Sequence, residues 1–127
     1  MSDKRRSIDI ESFGHKNPIP AASVKGNILM SGAIGGMDPA TGKLPESMEE
    51  QAANMFGHVR AIMAAAGGSV DDILKMSIHL HDPKNRAALN AEWQKIFPDP
   101  ESRPARHVNH SPLADDRQIV CEFMAVL

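Results

Sequence analysis

Arg106 is the first residue of this sequence whose type and setting point to chemistry. It lies in Arg-Pro-Ala-Arg-His-Val-Asn-His (103–110), where a short run that reads as a strand begins. A guanidinium is planar, permanently charged and able to hold a carboxylate through two parallel hydrogen bonds. Pro104 fixes the direction from which the chain enters that run. The competing reading is a surface or interface ion pair, which is common and worth little. Glu122 is the second candidate. It interrupts Ile-Val-Cys-Glu-Phe-Met-Ala-Val (119–126), an otherwise apolar segment. If the last two strands are antiparallel neighbours, Glu122 comes near Arg106, where burial raises its pKa and the arginine lowers it. A carboxylate so poised orients or activates a water. The competing reading is an ion pair between strands.

Three further positions offer polar groups. Ser-Gly-Ala-Ile-Gly-Gly (31–36) has no phosphate-loop or dinucleotide spacing and does not open a helix. It reads as a strand end where the backbone must approach something closely, with the Ser31 hydroxyl and the Gly32 N–H on offer, or else as a bulge or strand crossing. Asn90 sits about 100° around a helix from Leu89, where it borders a site or is solvated. The histidines do not make a metal site. His107 and His110 fall on opposite faces of a strand, and His79 and His81 share a face but lack a third ligand at a recognisable spacing. The single cysteine, Cys121, excludes an intrachain disulfide and reads as a buried structural thiol rather than a nucleophile.

Composition narrows the classes. The 127 residues set one domain, 1–127, as the default, and 42% apolar residues suffice for a small core. Aromatic residues are only 4%, so that core leans on Met, Ala, Ile, Leu and Val. A formal charge of -2 argues against a dedicated nucleic-acid binder, which needs a basic stripe. No apolar run reaches membrane-spanning length, and the charged start Met-Ser-Asp-Lys-Arg-Arg does not read as a signal peptide. The expectation is a cytoplasmic protein.

The elements that must position these groups alternate in type. A weak strand lies within 4–10, and an extended loop with two prolines spans 17–22. Lys-Gly-Asn (25–27) has hairpin chemistry. Gly and Pro mark 35–45 as a loop. Ser47 and Glu50 form a capping-box pattern, and Met48, Ala52, Met55, Val59, Ile62 and Ala66 then make one stripe of a helix over 48–66, stopped by Gly67-Gly68. After a turn at 69–72, Leu74, Met76, Ile78 and Leu80 alternate with Lys75, Ser77, His79 and His81, as in a strand with one polar face. Asp82-Pro83 fits the start of a second helix, with Leu89, Trp93 and Ile96 inside and Pro98 at its end. Strands at 105–110 and 118–126 close the chain. This α+β order predicts one sheet with both helices on one face. A bare, partly apolar second face calls for another subunit, so a homo-oligomer is expected.

Taken together, these stretches resemble the Rid family, the reactive intermediate deaminases also called YjgF or L-PSP. Those that carry the resemblance are Lys-Gly-Asn-Ile-Leu-Met-Ser-Gly through Asp-Pro-Ala-Thr-Gly (25–42), the helix ending in Ala-Ala-Ala-Gly-Gly before a strand, Leu-Asn-Ala-Glu-Trp-Gln-Lys-Ile-Phe-Pro (89–98), Pro-Ala-Arg (104–106) and the closing Glu122 strand. The resemblance implies a homotrimer of ferredoxin-like, chorismate-mutase-like subunits with clefts between them. It implies hydrolysis of 2-imino or enamine acids to 2-keto acids and ammonia, without cofactor or metal. Arg106 would grip the substrate carboxylate and Glu122 would position water, with Ser31, Gly32 and Asn90 lining the cleft. The family's usual tyrosine in the loop before the hairpin is replaced at or near Ile19, which would line the cleft in its place, and His107-Val108 replaces Ser-Cys after the arginine. The spacing from Arg106 to Glu122 leaves Val120 as the alternative occupant of the catalytic register. The rival readings are a small-carboxylate binding module without turnover and a ribonuclease, the latter disfavoured by the acidic balance.

Overall fold

The structure is a computed structural model that describes residues 4–14 and 17–127. The strands are β1 (Arg6–Ile8), β2 (Ala22–Lys25), β3 (Ile28–Ser31), β4 (Ile34–Gly35), β5 (Ile73–Leu80), β6 (Ala105–His110) and β7 (Ile119–Val126). The helices are α1 (Met48–Ala65) and α2 (Arg86–Ile96). One sheet runs β1-β2-β3-β7-β5-β6, with β4 also paired to β7. All pairings are antiparallel except β5 with β6, which α2 connects as a crossover. The single α+β domain with one sheet and two helices is the architecture that the alternation of patterns predicts.

The core lies between that sheet and the helices. The stripe of α1 is buried at Met48, Ala52, Met55, Val59 and Ile62, with Ala66 buried as its C-cap, and α2 contributes Leu89, Trp93 and Ile96. Ile78 and Leu80 on β5 and Cys121, Phe123 and Ala125 on β7 face it from the sheet. The end of α1 is a Schellman turn: Gly67 takes φ +86°, its N–H reaches Ala64 O, and the Gly68 N–H reaches Met63 O.

Several sequence expectations change locally. Ser47 accepts from the Glu50 N–H, but the reciprocal capping box forms at Ser69 and Asp72 instead, on a short 3-10 turn before β5. Leu74 is not on the buried face: a register shift between Ile73 and Lys75 inserts it as an extra residue, so Ile73 is buried and Leu74 is 55% exposed. Asp82 caps a 3-10 turn over Pro83–Asn85, and α2 starts only at Arg86.

Two buried polar side chains tie loops to α1. Gln51 donates to Pro45 O and Asp116 O and accepts from the Gln118 N–H. His58 lies 2.7 Å from Met37 O through Nε2 and 3.1 Å from Ser12 Oγ through Nδ1. Since a carbonyl only accepts, Nε2 carries the proton and Nδ1 accepts from the hydroxyl. Burial lowers the His58 pKa, partly opposed by its bond to Met37. Below the ordinary value of 6.5 the unfolded chain takes up this proton before the folded one. The contribution of His58 to stability is therefore complete above pH 6.5 and lost as pH falls toward the lower folded value. Chemical denaturation across that range is expected to show declining stability, with a shallower decline in His58→Gln.

Candidate functional site

Arg106 enters from the second position of β6, at the edge of the sheet. Register pairs it with Met76, a buried residue, so its side chain turns toward the helix layer. There its guanidinium carbon lies 4.9 Å from the centre of the Trp93 ring on α2. Trp93 is itself braced edge-on by Phe97, with ring centroids 4.7 Å apart. The other arginine of the motif, Arg103, is engaged elsewhere, its Nε donating to Phe97 O just past the end of α2. Arg106 has no such acceptor. Its Nη1 is buried without a hydrogen-bond partner, and no carboxylate pairs with it among the described residues. Burial and the nearby Arg86 lower its pKa, yet a guanidinium stays charged at neutral pH. A buried, unpaired cationic N–H is costly unless something supplies the acceptor. Asn90 is half-buried on the face of α2 that carries Trp93, and its side chain makes no hydrogen bond among the described residues.

The other polar candidates gather on the opposite side of the sheet. Glu122 pairs in register with Ser77, which pairs with His107, so these three share the face away from the helices. The idea that the last two strands are neighbours is thus corrected: β5 lies between β6 and β7, and Arg106 and Glu122 project from opposite faces of one protomer. His107, the next residue on β6, is turned away from Arg106 because successive strand residues alternate between faces. Glu122 and Ser31 line one hollow of about 240 Å³, along with Met30, Lys75, Ser77 and Met124. The Ser31 hydroxyl donates to Gly32 O and accepts from the Phe123 N–H, each at 2.8 Å. It thereby stands in for a backbone acceptor where β3 gives way to β4.

Gly32 does not present a free N–H as expected, because that group donates to Ala21 O at 2.9 Å. The close approach foreseen in this glycine-rich stretch is that of Gly36 to the α1 backbone at Gln51. Ile19 is 51% exposed in the loop before β2, and Val120 is buried beside Gly35 and His79. Cys121 is buried, and desolvation with the adjacent Glu122 raises its thiol pKa, which suits a structural role. Among the described residues no group of three His, Cys, Asp or Glu side chains is placed to hold a metal. No helix there is long and apolar enough to cross a membrane. Trp93, read from the sequence only as core, also serves as the platform for Arg106. Its spacing from Asn90 and Arg86 along one helix face was the available signal.

The family model described as Endoribonuclease L-PSP matches residues 15–125. The chain belongs to the Rid/YjgF/L-PSP family. It is 35% identical to a RutC family protein of Aquifex aeolicus over 118 residues, 87% of this chain and 94% of the relative. It is 32% identical over 103 residues to the 2-iminobutanoate/2-iminopropanoate deaminase of Escherichia coli, 80% of each chain. Among solved structures, RidA of the Antarctic bacterium Psychrobacter sp. superposes with a TM-score of 0.89 at 27% identity, covering 96% of this chain and 99% of that one. Escherichia coli TdcF with bound serine gives 0.88 at 26% identity, covering 96% and 98%. Membership in the Rid family accounts for the fold, and relatives named as deaminases support a deaminase role at the level of the family.

Proposed function

We propose that this Rid-family protein is a cofactor-independent deaminase of 2-imino acids and their enamine tautomers, working in clefts between the subunits of a homotrimer. The observation that carries this reading is the Arg106 guanidinium, stacked on Trp93 with a buried Nη1 that has no hydrogen-bond partner among the described residues. It is a preformed receptor for a carboxylate. Arg106 and Asn90 make one half of the site, and Ser31 and Glu122 the other. Because the halves lie on opposite faces of a protomer, a common site takes its second half from a neighbouring copy. Ile28 and Met30, 40% and 57% exposed on the open face, are the apolar surface on which that copy would pack.

The chemistry asks little of such a site. A protonated imine is already electrophilic, so binding and orientation supply much of the rate. Arg106 holds the carboxylate and fixes the imine carbon. Glu122 orients a water and receives its proton as the oxygen bonds to that carbon. Glu122 then passes that proton to the nitrogen and takes the hydroxyl proton as the C–N bond breaks, so that the 2-keto acid leaves and the ammonia departs with this last proton as ammonium. Every atom comes from imine and water.

The direct test generates 2-iminobutanoate in the assay and follows 2-oxobutanoate. Acceleration by the protein is expected, with sedimentation giving a trimer. No acceleration on this or on 2-iminopropanoate would overturn the enzymatic reading. The second reading, a carboxylate-binding trimer without turnover, draws on Ile19 in the loop and on the Gly32 N–H being occupied. It predicts Arg106-dependent binding of 2-oxobutanoate with no catalysis.

A further inference from the structure

The strip between α2 and β6 carries a second cation. Arg86 opens α2, Asn90 follows one turn later and Trp93 almost another, so the three fall within about 60° around the axis. On β6, Arg106, Val108 and His110 alternate onto one face. Two contacts clasp helix to strand. Arg106 stacks on Trp93 at one end, and Arg86 Nη2 lies 3.3 Å from His110 Nε2 at the other. Arginine only donates, so in this contact His110 accepts at Nε2. That bond steers an otherwise exposed guanidinium along the strip. Neither Arg86 nor Arg106 has an ion-pair partner among the described residues. Their mutual repulsion is felt at Arg106, whose pKa is depressed by burial and, beyond that, by the charge of Arg86. Two unneutralised guanidinium groups facing one strip are a standing electrostatic cost, which a ligand with a single carboxylate relieves only at Arg106.

We propose that the preferred ligands are 2-imino acids, and the corresponding 2-oxo acids, whose side chain carries a second acid group, held by Arg86 while Arg106 holds the first. This rests on the carboxylate role given to Arg106 above and names the substrate class of that site. Side-chain size is then limited by Asn90 and Val108 between the two cations.

Calorimetric titration of the full chain with 2-oxoglutarate and 2-oxopentanoate tests it, since these share a five-carbon chain and differ at the distal end. The diacid is expected to bind about tenfold more tightly, with the gap closing as salt is raised. Arg86→Gln should bring the ratio of the two affinities toward one, and Arg106→Ala should lose both ligands. Equal affinities in the wild type, with binding still dependent on Arg106, would overturn the second-acid site and leave the carboxylate site standing. A diacid preference that survives Arg86→Gln would also overturn it. If neither ligand binds, both readings fall.

Discussion

Arg106→Ala is expected to lower kcat/KM for 2-iminobutanoate by more than about a hundredfold while barely affecting the fold. The two effects separate because of what the side chain touches. Its one bond-like contact among the described residues is the stack on Trp93, worth about 0.5–1 kcal/mol. Its Nη1 has no acceptor to lose among the described residues. The substrate carboxylate, by contrast, would form charge-assisted bonds in a partly desolvated setting, where losing one partner costs about 3 kcal/mol. That converts to more than two orders of magnitude in rate. Arg106→Lys keeps the charge but loses the fork and the flat stacking surface, so about a tenfold loss is expected. Steady-state kinetics beside thermal unfolding decide the matter. Full turnover in Arg106→Ala would remove the basis of the proposed function, whereas lost activity with an equally collapsed melting temperature would make the residue structural.

Gly36→Ala is expected to destabilise the protein by about 3 kcal/mol, a drop of about 10 °C in Tm. A methyl group on Gly36 would collide with the backbone of Gln51, where no rotamer change can relieve it. The helix cannot easily withdraw. Gln51 is tied to Pro45, Asp116 and Gln118, and Asn54 Nδ2 donates to Gly36 O at 3.2 Å. Gly35→Ala is the control, because a Cβ there meets nothing within 4 Å. Scanning calorimetry should show a large loss for the first and a small one for the second. Equal losses would mean that the close packing of this loop on α1 is not what the glycine serves.

How the chain's own order specifies this molecule can be followed residue by residue. The stripe from Met48 to Ala66 and the alternation from Met76 to Leu80 were legible because helix and strand periods are local, set by 3.6 and 2 residues. Gly67 and Gly68 announced the end of α1 for a reason equally local, a backbone turn into the left-handed region. The family motifs around Arg106 and Glu122 were legible as well. Their mutual placement was not, since it depends on strand order. β5 lies between β6 and β7, and the register on it, with Arg106 opposite Met76 and Glu122 opposite Ser77, puts the two on opposite faces; no local pattern records which residue pairs with which. The extra residue at Leu74 escaped notice because a bulge is defined by the partner strand. Likewise the approach of Gly36 to Gln51, the bond from the Gly32 N–H to Ala21 and the pairing of Arg86 with His110 join segments distant in the chain. Sequence alone therefore determined the elements and the chemical groups, because those follow from each residue and its near neighbours. Only the tertiary structure decided which groups meet and which lie on the open face of the sheet, because that is settled by long-range packing of the sheet against its helices.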